Sequence, residues 1–393
     1  MSTPLPKPEV NSQIEAAHTL ASHFYTDAAI LEREKSRIFR RTWQLVGTLS
    51  QPCGEKGGRT LTIAEPETFF CAGVIDEPVV VVRDKQGVLR AFSNVCRHRA
   101  GPIAQGCGSK NVLRCAYHGW TYTLDGRLIG TPDIDGVEFF DRSTMGMVPL
   151  LCETWEQFIF VNFDLNAEPL AAFLGKIPED SRGFEFAGLQ LAERRDYVIE
   201  CNWKVYVDNY LEGYHIPIAH PGLMREIDYS QYRTETFRYS SQQFAPIRAL
   251  KPGDGADAAG TRAYAPGAGA LKEALYFWVF PNLMLNIYPD NISTNLIVPL
   301  GHEKTLTIFE WFFHDGKQAE ARERITRAVA FSDEVQQEDI GLCEAVQRGL
   351  KSATYTRGRY SPKRENGVHH FHLLLSEYLG GEESSGQRVV SSE

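Results

Sequence analysis

Four residues in the first third of the chain combine thiols with imidazoles at short spacing. Cys96 and His98 stand two positions apart, and Cys115 and His118 stand three positions apart. A two-iron two-sulfur cluster can be held by such a set, with the thiolates on one iron and the imidazoles on the other. Exchanging two thiolates for imidazoles raises the reduction potential of the cluster. The spacing therefore predicts a cluster that relays single electrons.

A structural zinc site is the alternative interpretation of these four residues, because zinc also accepts two cysteines and two histidines. Zinc-finger patterns pair like with like, whereas each half of this motif is mixed. The mixed halves favour a Rieske-type cluster. The other six cysteines are predicted to be small buried residues: Cys53, Cys71, Cys107, Cys152, Cys201 and Cys343. The alternative for Cys107 is a position near the cluster, since it lies between the two halves.

A second set of ligand-type residues lies near the middle of the chain. Residues 202–215 predict a buried helix with Asn202 as its N-cap. The helical repeat would place Asp208, Glu212 and His215 on one stripe of that helix. Burying carboxylates is costly, and metal coordination is one way to offset the cost. The stripe therefore indicates a candidate metal site.

Two histidines close in sequence, together with a distant carboxylate, form the facial triad of non-haem iron oxygenases. Pro217 ends the predicted helix, so the turn that follows would return His220 toward His215. The third ligand is expected from a late helix, where Asp339 interrupts an apolar stripe and Glu338 stands at its border. We choose Asp339 over Glu338. The late helix is predicted over 318–350, and its stripe comprises Val335, Leu342, Cys343, Val346 and Leu350.

This second set also has a simpler interpretation. The two histidines would be core residues with satisfied hydrogen bonds, and Asp339 would pair with an arginine. The Rieske-type motif in the same chain favours the iron site, because a relayed electron needs a destination. A third histidine cluster, at His369, His370 and His372, is predicted to be structural or to line a pocket.

With these residues in place, the chain resembles the α subunits of Rieske non-haem iron ring-hydroxylating oxygenases. The segments that carry the resemblance are 94–99 (NVCRHR), 115–120 (CAYHGW) and 212–221 (EGYHIPIAHP). Within that family the chain is most similar to the choline monooxygenase group. That similarity rests on 273–276 (EALY), 276–284 (YFWVFPNLM), 294–301 (TNLIVPLG), 338–350 (EDIGLCEAVQRGL), 358–360 (GRY) and 369–372 (HHFH).

The resemblance implies a trimer in which the cluster of one subunit feeds the iron of its neighbour. By the same match, Glu212 would bridge His118 of one subunit and His215 of the next. Many relatives have aspartate at this position, so the longer glutamate changes the geometry of the bridge. Asp208 is a rival for the bridging role.

The resemblance also implies an α+β fold, with an all-β Rieske domain followed by a helix-grip catalytic domain, an antiparallel sheet with helices. The expected organisation is an N-terminal arm and helix (1–40), a Rieske domain (41–165), a catalytic domain (166–380) and a disordered tail (381–393). The helix of the arm is predicted over 27–40. Short β-rich runs at 79–82 and 158–161 predict strands. Residues 251–270 are rich in Gly, Ala and Pro and predict a mobile loop.

The composition limits the possible partners and location. The formal net charge is -9, which argues against a nucleic-acid-binding surface. The most apolar stretch, 274–288, is too short and too interrupted to cross a membrane and predicts strands instead. The N-terminus has no apolar run, and eight cysteines in a chain of 393 residues do not suggest a disulfide framework. We expect a cytoplasmic protein.

The expected function is that of an oxygenase component. A separate flavin and iron–sulfur reductase would use NAD(P)H and supply electrons through the cluster to a mononuclear Fe(2+) ion. With O2, the enzyme would hydroxylate a small quaternary ammonium substrate such as choline. The alternatives are oxidative N-demethylation of a betaine or quaternary amine, hydroxylation of an aromatic ring, and electron transfer alone. Aromatic side chains available for a cation are Tyr206, Tyr210, Tyr214, Phe277, Trp278 and Tyr288, and none is singled out.

Overall fold

The structure is a computed structural model that describes residues 5–246 and 273–380. The predicted mobile loop and the predicted disordered tail fall outside these ranges. The strands of the first half are β1 (Gln44–Thr48), β2 (Pro52–Lys56), β3 (Arg59–Thr62), β4 (Thr68–Val74), β5 (Glu77–Arg83), β6 (Leu89–Ser93), β7 (Cys107–Ser109), β8 (Val112–Arg114), β9 (Thr121–Thr123), β10 (Leu128–Gly130), β11 (Pro149–Trp155) and β12 (Phe158–Asn162). The strands of the second half are β13 (Gln190–Ile199), β14 (Arg233–Thr236), β15 (Ser240–Pro246), β16 (Glu273–Val279), β17 (Leu283–Tyr288), β18 (Asn291–Gly301) and β19 (Lys304–Phe313).

The α-helices are α1 (His23–Thr26), α2 (Ala28–Glu34), α3 (Leu170–Leu174), α4 (Ile177–Asp180), α5 (Trp203–Tyr210), α6 (Ile216–Ala219), α7 (Pro221–Glu226), α8 (Arg322–Leu350) and α9 (Asn366–Gly380). Short 3-10 turns lie at Arg142–Thr144, Tyr229–Gln231 and Ala319–Ala321, and a π-helical turn at Lys35–Phe39 continues α2. The arm thus forms helical structure over most of the predicted range, with Asp27 capping α2 through the backbone N–H of Ala29 at 2.8 Å.

The N-terminal half is built on an antiparallel sheet in the order β1-β12-β11-β6-β5-β4-β7, with a smaller sheet β10-β9-β8 beside it. Strand β5 lies inside this sheet, between β6 and β4, and Val79 to Val82 are fully buried. Val80 and Val82 pack in the cluster that contains Trp120, whereas Val79 and Val81 pack in the cluster on the other side. Burial on both sides explains the continuous β-branched run, and the predicted strands at 79–82 and 158–161 are confirmed.

The second half is an antiparallel sheet in the order β13-β19-β18-β17-β16-β15-β14, with helices α5, α8 and α9 in contact with it or with one another. The predicted strand content of 274–288 is confirmed by β16 and β17. The largest core cluster joins the two halves, since Phe158 of β12 meets Phe312 of β19 edge to face at 5.7 Å. The α+β fold class is therefore confirmed.

Two helix predictions are wrong in part. Helix α5 does begin at the cap Asn202, whose side chain accepts the Lys204 N–H at 3.0 Å, but it ends at Tyr210. Glu212 and His215 consequently lie beyond the helix and not on its stripe. The chain leaves the helix there because the Glu212 carboxylate accepts the backbone N–H groups of Tyr214 and His215 and competes with continued helix.

The predicted apolar stripe of the late helix is also wrong in part. Leu342 and Val346 are 39% and 51% exposed. The buried face of α8 consists of Ile325, Val329, Gln336, Cys343, Gln347 and Leu350. Two glutamines lie on this face because each finds a buried partner: Tyr206 donates to Gln336, and Gln347 accepts the Asn202 N–H at 2.9 Å. The pattern of apolar residues alone therefore predicted the wrong buried face for α8.

Candidate active site and metal centres

The predicted cluster residues lie on two neighbouring loops. Cys96 and His98 follow β6, and Cys115 and His118 lie between β8 and β9. The Asn94 side chain holds the first loop, because its Oδ1 accepts the backbone N–H groups of Ile103 and Ala104 at 3.0 and 2.9 Å. Both thiols are buried, and His118 is exposed.

The surroundings of the two thiols favour ligation. Tyr122 Oη lies 3.3 Å from Cys96 Sγ and accepts the Arg97 N–H at 3.2 Å, so its own proton is available to the sulfur. Burial raises the pKa of the Cys115 thiol, against the opposing effect of the Tyr117 backbone N–H. A coordinating metal deprotonates a thiol outright, which would overcome this penalty.

The two imidazoles complete the same cradle. His98 stacks on Trp120 with ring centroids 4.9 Å apart and an interplanar angle of 8°, and His118 stands edge-on to His98 at 4.5 Å. The Nδ1 atom of His98 is buried and has no hydrogen-bond partner in the structure. A buried ring nitrogen without a partner is costly unless it binds a metal. The donor set therefore fits a cluster.

A single zinc ion fits this cradle poorly. Tetrahedral zinc brings its four ligand atoms to within about 4 Å of one another. Within 5–246 and 273–380, one group of three His, Cys, Asp or Glu residues has its ligand atoms mutually within 4.8 Å. That group does not include the cysteines. No three ligand atoms of Cys96, His98, Cys115 and His118 lie mutually within 4.8 Å, which agrees better with a dinuclear cluster than with one zinc ion.

That group of three consists of His215, His220 and Asp339. The Nε2 atoms of His215 and His220 are 3.0 Å apart, and Asp339 Oδ1 lies 3.6 and 3.1 Å from them. The residues come from the start of α6, the turn between α6 and α7, and the middle of α8. Three such atoms around one point match the two-histidine, one-carboxylate arrangement of non-haem iron sites.

Two further carboxylates hold the far sides of the imidazoles. Glu212 bonds to Nδ1 of His215, and Glu338 lies 2.6 Å from Nδ1 of His220. A proton on each Nδ1 leaves the Nε2 lone pair available for a metal. Burial opposes protonation of His220, but Asp339 and Glu338 outweigh it and raise its pKa. Asn209 donates to Asp339 Oδ1 at 2.7 Å and fixes that carboxylate.

Asp208, the rival of Glu212, points into a different network. It accepts hydrogen bonds from Tyr25 Oη at 2.7 Å and from His372 Nε2 at 2.9 Å. Tyr360 lies 2.6 Å from the other nitrogen of His372. His369 lies 2.7 Å from the carbonyl oxygen of Asn11. These contacts agree with a structural role for His369 and His372.

A cavity of about 130 Å³ opens beside His215, His220 and Asp339. Of the aromatic residues proposed from sequence, Tyr206, Tyr210 and Tyr288 line it. Phe277 and Trp278 lie in the core, and Tyr214 is 60% exposed. Tyr276 completes a corner of the cavity, since its ring meets that of Tyr288 at 5.8 Å and 89°.

Known proteins with similar sequences and structures share both halves of this arrangement. Residues 61–141 match the Rieske [2Fe-2S] domain, and residues 186–381 match the ring hydroxylating alpha subunit (catalytic domain). The chain is 38% identical to the chloroplastic choline monooxygenase of Arabidopsis thaliana, covering 93% of this chain and 84% of the relative. It belongs to the Rieske ring-hydroxylating oxygenase α-subunit family.

A further sequence relative and a solved structure extend the comparison of this Rieske oxygenase. The carnitine monooxygenase oxygenase subunit of Acinetobacter baumannii is 32% identical, over 93% of this chain and 95% of the relative. The crystal structure of the quaternary ammonium Rieske monooxygenase CntA with its substrate L-carnitine superposes with a TM-score of 0.78. That structure is 30% identical and covers 96% of this chain and 99% of CntA.

Membership confirms the predicted family and the enzyme class. A Rieske oxygenase carries a Rieske [2Fe-2S] cluster and a mononuclear iron, and the predicted cofactors are confirmed at that level. Within the described ranges, no helix combines the length and apolar character required to cross a bilayer.

Sequence reasoning missed several residues of the Rieske oxygenase site. Glu338 was considered only as a rival ligand, although its position beside Asp339 on a helix could have suggested a partner for a ligand histidine. Asn209 and Tyr276 carried no signal beyond their residue types. The same holds for Asn286 and Asn295, two buried amides that line the cavity from the sheet.

Proposed function

We propose that this chain is the oxygenase component of a monooxygenase that oxidises a small quaternary ammonium compound such as choline. The observation that carries the proposal is the aromatic corner of Tyr276 and Tyr288, which lines the cavity beside the three clustered ligand-type residues. A quaternary ammonium group has no hydrogen to donate and is recognised by the faces of aromatic rings. The similarity to choline and carnitine monooxygenases supports the same substrate class.

His215, His220 and Asp339 are the proposed ligands of the mononuclear iron. Bound there, the iron supplies O2 activation and oxidation of a C–H bond. Glu212 and Glu338 hold the two imidazoles by their Nδ1 atoms, and Asn209 holds Asp339. The surrounding cavity would exclude water and orient the substrate carbon that reacts.

Cys96, His98, Cys115 and His118 are the proposed ligands of the cluster. The unpaired Nδ1 of His98 and the two buried thiols support the assignment. His118 is exposed, and its ring packs on the exposed Tyr117 at 3.8 Å, so this side of the cluster can approach another molecule. Domain limits of 41–165 for the Rieske domain and 166–380 for the catalytic domain are proposed with it, after an arm over 1–40.

Glu212 is the proposed bridge between the cluster of one subunit and the iron of the next in a homotrimer. It already bonds to His215 and is partly exposed, with 12% of its side chain accessible. Asp208 is the weaker candidate, because Tyr25 and His372 already occupy its carboxylate. A bridging carboxylate would orient both imidazoles for electron transfer.

A separate reductase is the proposed electron donor, with NAD(P)H as the primary reductant. The proposed location is the cytoplasm, where a reducing milieu suits this chain because no disulfide joins any of its eight cysteines, all of which lie in the described ranges.

Substrate-dependent O2 uptake tests the proposed function. The reconstituted protein, a surrogate reductase and NADH would be supplied with choline, a betaine or an aromatic hydrocarbon. We expect uptake with choline and an aldehyde at its former alcohol carbon. Release of formaldehyde would instead establish N-demethylation, and uptake with the aromatic compound alone would contradict the proposal. Tyr276→Leu should raise KM for choline, whereas Tyr239→Leu, which alters a ring stacked on Phe173 outside the cavity, should not.

Mixed trimers test the proposed route between subunits. Subunits with Cys96→Ser lack the cluster, and subunits with His215→Ala lack the iron. If electrons cross between subunits, co-expression of the two inactive variants restores part of the activity. Adding Glu212→Gln to the iron-competent subunit should abolish that recovery. Asp208→Asn is the control. Placed in the iron-competent subunit instead of Glu212→Gln, it should leave the recovered activity unchanged.

A further inference from the structure

The sheet face that lines the cavity carries a row of polar side chains. The register of β15 to β18 places Gln243, Tyr276, Asn286 and Ser293 directly opposite one another across neighbouring strands. Asn295 lies two positions beyond Ser293 and therefore on the same face. Gln243, Asn286 and Asn295 are all buried, at 6%, 7% and 6% exposure. Buried amides at the edge of a cavity need hydrogen-bond partners.

Hydrogen bonds in this row fix the orientation of the amides. Tyr210 Oη donates to Asn286 Oδ1 at 2.9 Å, which turns the amide nitrogen of Asn286 toward β18. That nitrogen donates to Ser293 Oγ at 3.2 Å and to Asn295 Oδ1 at 3.4 Å. Asn295 thus uses its oxygen as an acceptor within the protein.

The amide nitrogen of Asn295 is left without a partner among the described residues. Asn295 lines the cavity, so the free N–H group is positioned to meet a bound molecule there. A ligand oxygen bound next to this N–H group would accept its hydrogen bond in place of water. The cavity therefore has an aromatic corner for a cation and a separate N–H donor for an oxygen atom.

The charge of the lining distinguishes two kinds of ligand oxygen. Of the described residues that line the cavity, none is lysine or arginine, and two are the acidic residues Glu212 and Asp339. These two carboxylates would repel the carboxylate of a ligand bound between them. A neutral hydroxyl group accepts from one amide N–H at no such cost.

We propose that Asn295 donates a hydrogen bond to the hydroxyl oxygen of the substrate, and that the substrate class is a quaternary ammonium alcohol rather than a carboxylate-bearing betaine. This inference rests on the proposed function. Asn295 is then a specificity-determining residue, and Tyr210 and Asn286 are positioning residues that act by orienting its amide.

Equilibrium binding to the holoenzyme tests the inference without turnover. The probes are choline and n-propyltrimethylammonium, in which a methyl group replaces the hydroxyl at similar size. We expect wild-type protein to prefer choline by about tenfold, the equivalent of one hydrogen bond. Asn295→Leu should reduce this preference to about one by weakening choline binding alone. Thr294→Ala is the control, because Thr294 precedes Asn295 on β18 but points to the opposite face of the sheet and does not line the cavity, so the preference of this variant should stay near that of wild type.

The outcomes separate this inference from the proposed function. Equal binding of the two probes to wild-type protein overturns it, and this comparison holds even if Asn295→Leu fails to fold. An undiminished preference for choline in folded Asn295→Leu also overturns it, as does binding of carnitine to wild-type protein as tight as that of choline. If neither probe binds to wild-type protein, the proposed function itself fails and this inference with it.

Discussion

Two adjacent carboxylates on α8 meet different nitrogens of one histidine. Asp339 Oδ1 lies 3.1 Å from Nε2 of His220, on the side where His215 also presents its Nε2. Glu338 Oε2 lies 2.6 Å from Nδ1 of the same ring, on the opposite side. A single imidazole can therefore be held from behind and offered to a metal in front, which is the usual arrangement of ligand histidines.

Replacement of Asp339 by alanine separates the two metal centres. We expect Asp339→Ala to lose the mononuclear iron and to keep the cluster, because the cluster residues lie in the other half of the chain. Iron and acid-labile sulfide per chain, together with the visible spectrum of the cluster, provide the measurement. Asp333→Ala is the control, since Asp333 lies on the same helix but accepts a hydrogen bond from Tyr197 at 2.6 Å. Unchanged iron in Asp339→Ala would rule out the ligand assignment.

Two substitutions of Glu338 should weaken iron binding to different extents. Glu338→Ala removes the acceptor behind His220 and should weaken Fe(2+) binding by about 10–100-fold, the usual effect of losing an outer carboxylate. Glu338→Gln keeps an oxygen that can accept from Nδ1, so its loss should be smaller. Competition with a metal chelator measures both affinities. Equal losses for the two variants would show that the charge, and not the hydrogen bond, is what matters.

The sequence could predict this site only where residue type and spacing carried the information. His215, His220 and Asp339 are ligand types at unusual positions, so they could be selected in advance. Asn295 could not, because a buried asparagine in a strand is recognised as a donor to a ligand only after Tyr210 and Asn286 have fixed its amide. That chain of hydrogen bonds joins residues far apart in sequence.

At the level of the element, the turn between α5 and α6 shapes the iron site. Residues 202–215 have the apolar pattern of one helix, yet the helix ends at Tyr210. The Glu212 carboxylate accepts backbone N–H groups that would otherwise continue it, and Gly213 follows directly. The pattern could not reveal this, because hydrophobic periodicity does not register a local side-chain acceptor. The break turns His215 out of the helix and toward His220.

Gly213 tests how tightly this turn is packed. A Cβ atom at Gly213 would lie 2.5 Å from the ring of Tyr232, closer than any stable contact, and the ring also lines the cavity. We therefore expect Gly213→Ala to destabilise the protein by about 1–3 kcal/mol, the usual cost of overpacking. It should also weaken iron binding, because His215 is two residues away.

Thermal denaturation and iron content measure the two effects. Gly222→Ala is the matched control, because the nearest atoms to its Cβ are 3.7 Å away. If the ring is the cause, Gly213→Ala should cost much less when it is introduced into Tyr232→Ala than when it is introduced into the wild-type protein. A Gly213→Ala protein as stable as Gly222→Ala would mean that the turn can relax.

At the level of the whole molecule, a buried ion pair joins the N-terminal arm to helix α5. Glu34 at the end of α2 accepts hydrogen bonds from Lys204 Nζ at 2.6 Å and from Trp203 Nε1 at 2.8 Å. The side chains of Glu34 and Lys204 are 0% and 1% exposed. Tyr25 of the arm reaches Asp208 on the same helix. Helix α5, which leads into the iron site, is therefore anchored by residues that precede the Rieske domain.

Breaking this buried pair on one side should be far more damaging than removing it whole. Lys204→Met leaves the Glu34 carboxylate buried without a counter-charge, and we expect a loss of about 3–5 kcal/mol in stability. Glu34→Leu combined with Lys204→Met removes both charges and should lose much less. An exposed pair provides the comparison: Arg238 and Glu377 are 56% and 51% exposed, so Arg238→Ala should cost about 0–1 kcal/mol.

Thermal midpoints and limited proteolysis of the arm distinguish the possible results. If the pair anchors the arm, Lys204→Met lowers the midpoint and makes cleavage within residues 5–40 faster, and the double variant reverses most of both changes. If the double variant is as unstable as Lys204→Met, the charges are not coupled, and shape alone holds the arm. Because α5 ends next to Glu212 and His215, a released arm should also reduce iron content, which links the stability of the whole molecule to its catalytic site.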